Sequence, residues 1–190
     1  MKLVSLDTHI QNKGLYIGCR QILLDFALSN IAYDYPVDPK ALEKAREWSA
    51  EEIVAKISGL TKTRHHSICL GGGEPLLQVD NLKTFLEQKL ETPLYLETNG
   101  TLPKHLDEIK DMVDLFALSL KPQFIKEFIE SLLLLKDKNV FVRLVSSRET
   151  TPKSVETYAK MIAEVNKDIV LIIEPLRECK EPMPLQAMAE

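Results

Sequence analysis

The sequence is short of cysteine, of long apolar runs and of clustered positive charge, and each shortage excludes something. Three cysteines in 190 residues, Cys19, Cys69 and Cys179, stand far apart and are odd in number. They make no disulfide framework, so a reducing, cytoplasmic location is expected. One of the longer apolar runs, Leu132–Leu135, sits inside an amphipathic pattern with charges on both sides. A bilayer span needs about 18–20 apolar residues, so no membrane segment is expected. The N-terminus MKLVSLDTHIQNKG turns polar too early for a secretory signal. Net charge is −4, without any sizeable basic block, which argues against a nucleic-acid partner. What remains is an ordinary globular balance, 45% apolar and 27% charged, in a chain long enough for one domain over residues 1–190.

The most informative stretch is Ser67–Leu77, SICLGGGEPLL. An apolar run stops on three glycines, then Glu74 and Pro75, which reads as a buried strand entering a tight turn. Glycine permits φ > 0 and lets a ligand approach bare backbone. Proline there can open a helix. Backbone N–H groups in such a turn would favour a carboxylate or phosphate, and the Glu74 carboxylate would suit a ligand's ammonium group. The alternative is a strand–turn–helix connection and nothing more.

Around this stretch the pattern alternates. Strands are expected at Lys2–Leu6, Gln21–Leu28, Ser67–Leu70, Leu94–Glu97, Leu115–Leu118, Val140–Val145 and Ile169–Ile173, with loops at Asp7–Gly18 and Ser29–Pro39. Helices are expected at Lys40–Trp48, after the capping box Ser49-Ala50-Glu51-Glu52 as far as Gly59, at Gln78–Leu90, Pro103–Lys110 and Gln123–Leu135, behind Thr151-Pro152, and at Leu176–Glu190. Such alternation predicts parallel strands with right-handed crossovers, in a doubly wound sheet or a (β/α) barrel. The clusters GGGE, ETNG, SLK, SSR and EP all follow strands, which favours a barrel with its site at the strands' C-terminal ends.

With GGGEPLL, ETNGTLP, SLKP and FVRLV in this order, the sequence resembles the radical S-adenosylmethionine (SAM) superfamily. Ile10–Phe26, IQNKGLYIGCRQILLDF, narrows the resemblance to the 7-carboxy-7-deazaguanine synthases, the ring-contracting branch of 7-deazapurine (queuosine) biosynthesis. The resemblance implies a partial (β/α)6 TIM-like barrel, usually dimeric, that uses SAM, a [4Fe–4S] cluster and magnesium. It implies that Gly72, Gly73 and Glu74 hold the methionine moiety of SAM, with Thr98, Asn99, Ser119 and Lys121 near its other parts. Gln11 and Gly14 fall on the family's substrate motif.

The departures from that pattern are specific. The family holds its cluster through CxxxCxxC in the loop after the first core strand; here that loop reads FALSNIAYDYP, with no cysteine. Clusters are held by thiolates, occasionally by histidine, and serine is not a soft ligand. The QGEG-like substrate motif has become Gln11-Asn12-Lys13-Gly14, a charge reversal at Lys13. The threonine that helps place the metal corresponds to Tyr35, and a glutamine at the last strand's end is Glu174. The family also continues with an apolar segment beyond this C-terminus. A pseudoenzyme that still binds SAM is therefore expected. The alternatives are an active synthase whose cluster segment is missing or supplied by a partner, and a ligand-free structural subunit. Cys19 and Cys69 read as core residues, His65-His66 as a solvated loop rather than a metal pair, and Trp48 as a packing anchor. Glu97 and Glu174 could form an acid–base pair.

Overall fold

A computed structural model describes residues 1–31, 42–88 and 90–175. One eight-stranded sheet runs through them, in the order β3-β1-β2-β4-β5-β6-β7-β8. Its strands are β1 (Lys2–Ile10), β2 (Arg20–Phe26), β3 (Arg46–Glu47), β4 (Ser67–Gly72), β5 (Leu94–Thr98), β6 (Leu115–Leu120), β7 (Val140–Ser146) and β8 (Val170–Pro175). From β2 through β4 to β8 every pairing is parallel, the arrangement of a partial TIM-like barrel. The crossovers carry α1 (Ala50–Leu60), α2 (Val79–Leu86), α3 (Pro103–Ile109), α4 (Ile125–Leu134) and α5 (Pro152–Val165).

Alternation along the strands divides the residues between two layers. Leu70, Leu96, Phe116, Leu118, Val142 and Leu144 face the helices in the main core, with Ile53 and Ile57 of α1 and Phe128 and Leu132 of α4. On the concave face Cys69, Tyr95, Ala117 and Phe141 form a second, smaller cluster, joined by Leu23, Tyr16 and Ile172. The helix starts follow their sequence signals. Ser49 and Glu52 complete the capping box of α1, and Thr151 caps α5 with Pro152 in the first turn.

Several expectations need correction. Residues Asp7–Ile10 continue β1 rather than forming a loop, because each pairs antiparallel with β2, from Asp7 opposite Leu23 to Ile10 opposite Arg20. Cross-strand bonding outweighs their polar composition. Arg46–Glu47 is a short strand on β1, not the end of a helix, and Arg46 lies over the Trp48 ring 3.6 Å from its centroid. Gly59 does not stop α1, which runs to Leu60 and closes with the Thr61 N–H on Ile57. Pro75 opens a 3₁₀ turn, Pro75–Gln78, ahead of α2. His65 is not solvated: it is buried, its Nε2 lies 3.0 Å from Thr8 Oγ1, and its Nδ1 has no partner. Tyr35, Cys179 and the helix expected over Leu176–Glu190 lie outside the described residues. No described helix is long and apolar enough to cross a membrane.

Candidate functional site

The glycine turn ends β4 against the end of β2. Gly72 has φ +88, and a Cβ there would lie 2.0 Å from Asp25 Oδ1 and 2.8 Å from the Phe26 nitrogen. At Gly73 a Cβ would lie 2.0 Å from the Leu28 carbonyl oxygen. The N–H groups expected to face an anion are turned to protein instead: Gly73 donates to Phe26 O (2.8 Å) and Glu74 to Leu28 O (2.6 Å). The glycines therefore let two stretches of backbone meet.

Glu74 is buried, and its carboxylate joins the ends of β4 and β5. It accepts from Leu76 N–H (3.1 Å), Thr98 Oγ1 (2.8 Å) and Asn99 N–H (2.8 Å). Asn99 is committed as well. Its Nδ2 donates to Asn30 Oδ1 (2.9 Å), and its Oδ1 accepts from Thr101 N–H (3.1 Å) and Oγ1 (2.7 Å). Asn30 closes the ring by donating to Thr101 Oγ1 (2.8 Å). So Gly72, Gly73, Glu74, Thr98 and Asn99 come together at the rim, bonded largely to one another and to the segment after β2. Ser119 lies on the lumen-facing side of β6, opposite Arg143 in register, and Lys121 follows β6 directly.

The lumen carries the electrostatics. Glu97 sits against the bare backbone of Gly71, where a Cβ would come within 3.2 Å of its Oε2. It accepts from Lys13 Nζ (2.7 Å), Gln11 Nε2 (2.8 Å) and the Tyr95 hydroxyl (3.2 Å). Gln11 passes on to Gln21 (3.1 Å), and Gln21 to Ser67 (2.9 Å). Across the lumen Arg143 clamps Glu174 through Nε and Nη2, the latter at 2.7 Å, and Gly14 N–H reaches Glu174 Oε1 at 2.6 Å. Glu97 and Glu174 are thus two ion-paired anions rather than an acid–base couple. Gln11 and Gly14 both reach this network; Lys13 carries its cation.

Burial raises the Glu97 carboxyl, but Lys13, Arg143 and the Gln11 amide outweigh it and hold the group below its ordinary value. Burial also raises Glu174, and Arg143, the Gly14 N–H and Lys13 overcome it in the same way. Burial pushes the Tyr95 phenol far up, so it stays a donor. Burial also pushes the Cys69 thiol well up, which withholds the thiolate a metal would need. Groups depressed on folding add stability above the ordinary carboxylate range and lose it as pH falls through their folded-state values. Lys13→Met removes a cation that depresses both carboxyls. Its acid-unfolding midpoint, followed by circular dichroism, is expected at higher pH than the parent's; an unmoved midpoint would show that Lys13 does not hold them down.

Arg143, Tyr95 and Tyr16 were legible only in retrospect. For Arg143 and Tyr95 the signal was a polar or bulky residue at lumen-facing parity in an otherwise apolar strand, as in Phe141-Val142-Arg143; Tyr16, in the loop between β1 and β2, had none.

The six parallel strands carry their polar groups at the strand ends, and the chain is similar to the Radical SAM superfamily, whose model matches residues 30–122. It is similar to 7-carboxy-7-deazaguanine synthases. It is 26% identical over 216 residues to that of Geobacter sulfurreducens, covering 97% of this chain and 85% of the relative. It is 36% identical over 121 residues to that of Methanothermobacter thermautotrophicus, covering 63% of this chain and 49% of the relative. A crystal structure of QueE from Escherichia coli shares the fold, with a TM-score of 0.62 and 15% identity over 93% of this chain and 84% of that one. The superfamily implies SAM and a [4Fe–4S] cluster as cofactors.

Proposed function

We propose that the chain is a SAM-binding homologue of the 7-carboxy-7-deazaguanine synthases that builds no [4Fe–4S] cluster, a pseudoenzyme of the radical SAM fold. One observation carries this reading: between Phe26 and Lys40 there is neither cysteine nor histidine. The cluster's donor set is thiolate, and this stretch of sequence offers none. Cys69 is a buried lumen residue with a raised thiol. Among the described residues no three of His, Cys, Asp and Glu gather to hold a metal. The residues present therefore do not fit the cluster, and no reductive step is assigned to them.

SAM fits better. The rim of Gly72, Gly73, Glu74, Thr98, Asn99, Ser119 and Lys121 would hold it, with Asp25 beside Gly72 as a carboxylate for a cationic ligand. Because Glu74, Asn99 and the N–H groups of Gly73 and Glu74 are bonded within the protein, the ligand would be held by what the rim offers beyond them, Ser119 and Lys121. The reading includes a homodimer, since β8 is an edge of the sheet among the described residues, and a reducing cytoplasmic location, in keeping with free Cys19 and Cys69.

A second reading, an active synthase completed by a cluster segment from elsewhere, is favoured by the similarity to 7-carboxy-7-deazaguanine synthases across 97% of the chain. Anaerobic reconstitution with iron and sulfide, followed by ultraviolet–visible and EPR spectroscopy, separates the two. A colourless, EPR-silent protein is expected, and a brown protein with about four irons per chain would overturn the proposal. Calorimetry with SAM is expected to show binding. No heat with SAM, S-adenosylhomocysteine or adenosine would leave only a ligand-free structural subunit.

A further inference from the structure

One short loop fills the lumen with three kinds of group. Between β1 and β2, Lys13 places its ammonium on Glu97 (2.7 Å) and Gly14 its N–H on Glu174 (2.6 Å). Tyr16 packs edge-on against Tyr95 and Phe141, with ring centroids 5.5 and 5.8 Å away. A Cβ at Gly14 would lie 2.9 Å from the Phe141 ring, so the loop lies directly on this aromatic floor. An ammonium, a peptide N–H and a flat ring, set on two carboxylates and two aromatic rings, make the donor set of a flat cationic amidine or amino-heterocycle.

We propose that the loop is a tethered competitor for such ligands: Lys13 holds Glu97 against flat, cationic N–H donors, and the lumen accepts one only when Lys13 leaves.

The two ion pairs are built differently, which singles out Lys13. Arg143 rises from β7, is 8% exposed and grips Glu174 with two nitrogens. Lys13 sits in a loop, is 30% exposed and makes a single bond to Glu97. Its long stem can return the ammonium to water at low cost. Glu97 then keeps Gln11 and Tyr95 as donors. An incoming cation replaces Lys13 one for one, so no bare charge is left buried at the end of the exchange. An anion gains nothing, since it meets two carboxylates already supplied with counter-ions. A group on a short tether acts at an effective concentration on the order of millimolar, so dilute free ligand is excluded. None of this depends on SAM or on a cluster, so failure of the proposed function leaves it standing, and the reverse.

The test uses the full chain and two isosteric probes, benzamidinium and benzoate, followed by calorimetry. Lys13→Met is expected to bind benzamidinium at least about tenfold more tightly than the parent, the scale of one charge-assisted hydrogen bond. Lys13→Arg, which keeps the charge, is expected to show no gain. The gain should vanish in Lys13→Met/Glu97→Gln, and benzoate should be indifferent throughout. Equal benzamidinium affinity in parent and Lys13→Met, a gain that survives Glu97→Gln, or a matching gain for benzoate would each overturn the proposal. If Lys13→Met does not fold, the parent decides by NMR of its lysine side chains. Benzamidinium in excess must move the Lys13 ammonium nitrogen resonance to that of a solvated lysine, and a resonance unmoved across the whole titration refutes the competition.

Discussion

Gly72→Ala is expected to leave little folded protein, with a loss of about 4 kcal/mol or more in urea denaturation. Two costs combine. At φ +88 an alanine pays the left-handed penalty, and its Cβ would lie 2.0 Å from Asp25 Oδ1, 2.8 Å from the Phe26 nitrogen and 3.0 Å from the Phe26 oxygen. The Asp25 side chain can turn away. The Phe26 backbone cannot, because β2 and β4 are paired in parallel from Gln21 opposite Ser67 to Phe26 opposite Gly72. Relief therefore means opening the first parallel pairing of the barrel. Gly18→Ala is the control: it shares the conformation, φ +84, but a Cβ there meets nothing within 4 Å. It should lose only the conformational term, about 1–2 kcal/mol. If the two variants lose the same amount, the packing of β2 on the turn is not what requires glycine.

How much of this was written in the sequence differs from element to element. The parallel core was legible because its strands are short apolar runs closed by turn signals, as in Leu94–Glu97 before Thr98-Asn99-Gly100. The caps Ser49 and Thr151 were legible because capping is local chemistry. Asp7–Ile10 was not: its strand character comes from β2, which lies across the hairpin. The rim residues Gly72, Glu74, Thr98 and Asn99 stand apart in sequence at the ends of two strands, and the fold brings them together. What they do for one another was hidden, because a carboxylate bonded to the next strand reads the same as one left for a ligand. Lys13 was visible as a charge reversal, yet its partner Glu97 is far away in sequence, and only the fold brings the two together.

The lumen also changes what a retained motif means. Glu74→Ala is expected to lose about 3–5 kcal/mol of stability, the range for stripping a buried charged acceptor of its role in a network. Three donors lose their acceptor together: Leu76 N–H, Thr98 Oγ1 and Asn99 N–H. Two of them belong to β5 and the turn that follows it, so the loss reaches the Asn99–Asn30–Thr101 ring that ties down the segment after β2. Glu74→Gln keeps the shape but offers one acceptor oxygen instead of two, and should fall between parent and alanine. Thr98→Val removes a donor that Glu74 satisfies, so the double variant Glu74→Ala/Thr98→Val should cost less than the sum of the two single variants, as for coupled members of one network. Urea midpoints of the three single variants and the double variant give the coupling directly. This has a consequence for binding: weakened SAM affinity in Glu74→Ala would reflect a loosened rim as much as a lost contact. Calorimetry is therefore interpretable only beside the stability series. A Glu74→Ala chain as stable as the parent would return the carboxylate to the ligand, because its three bonds would then be holding nothing together.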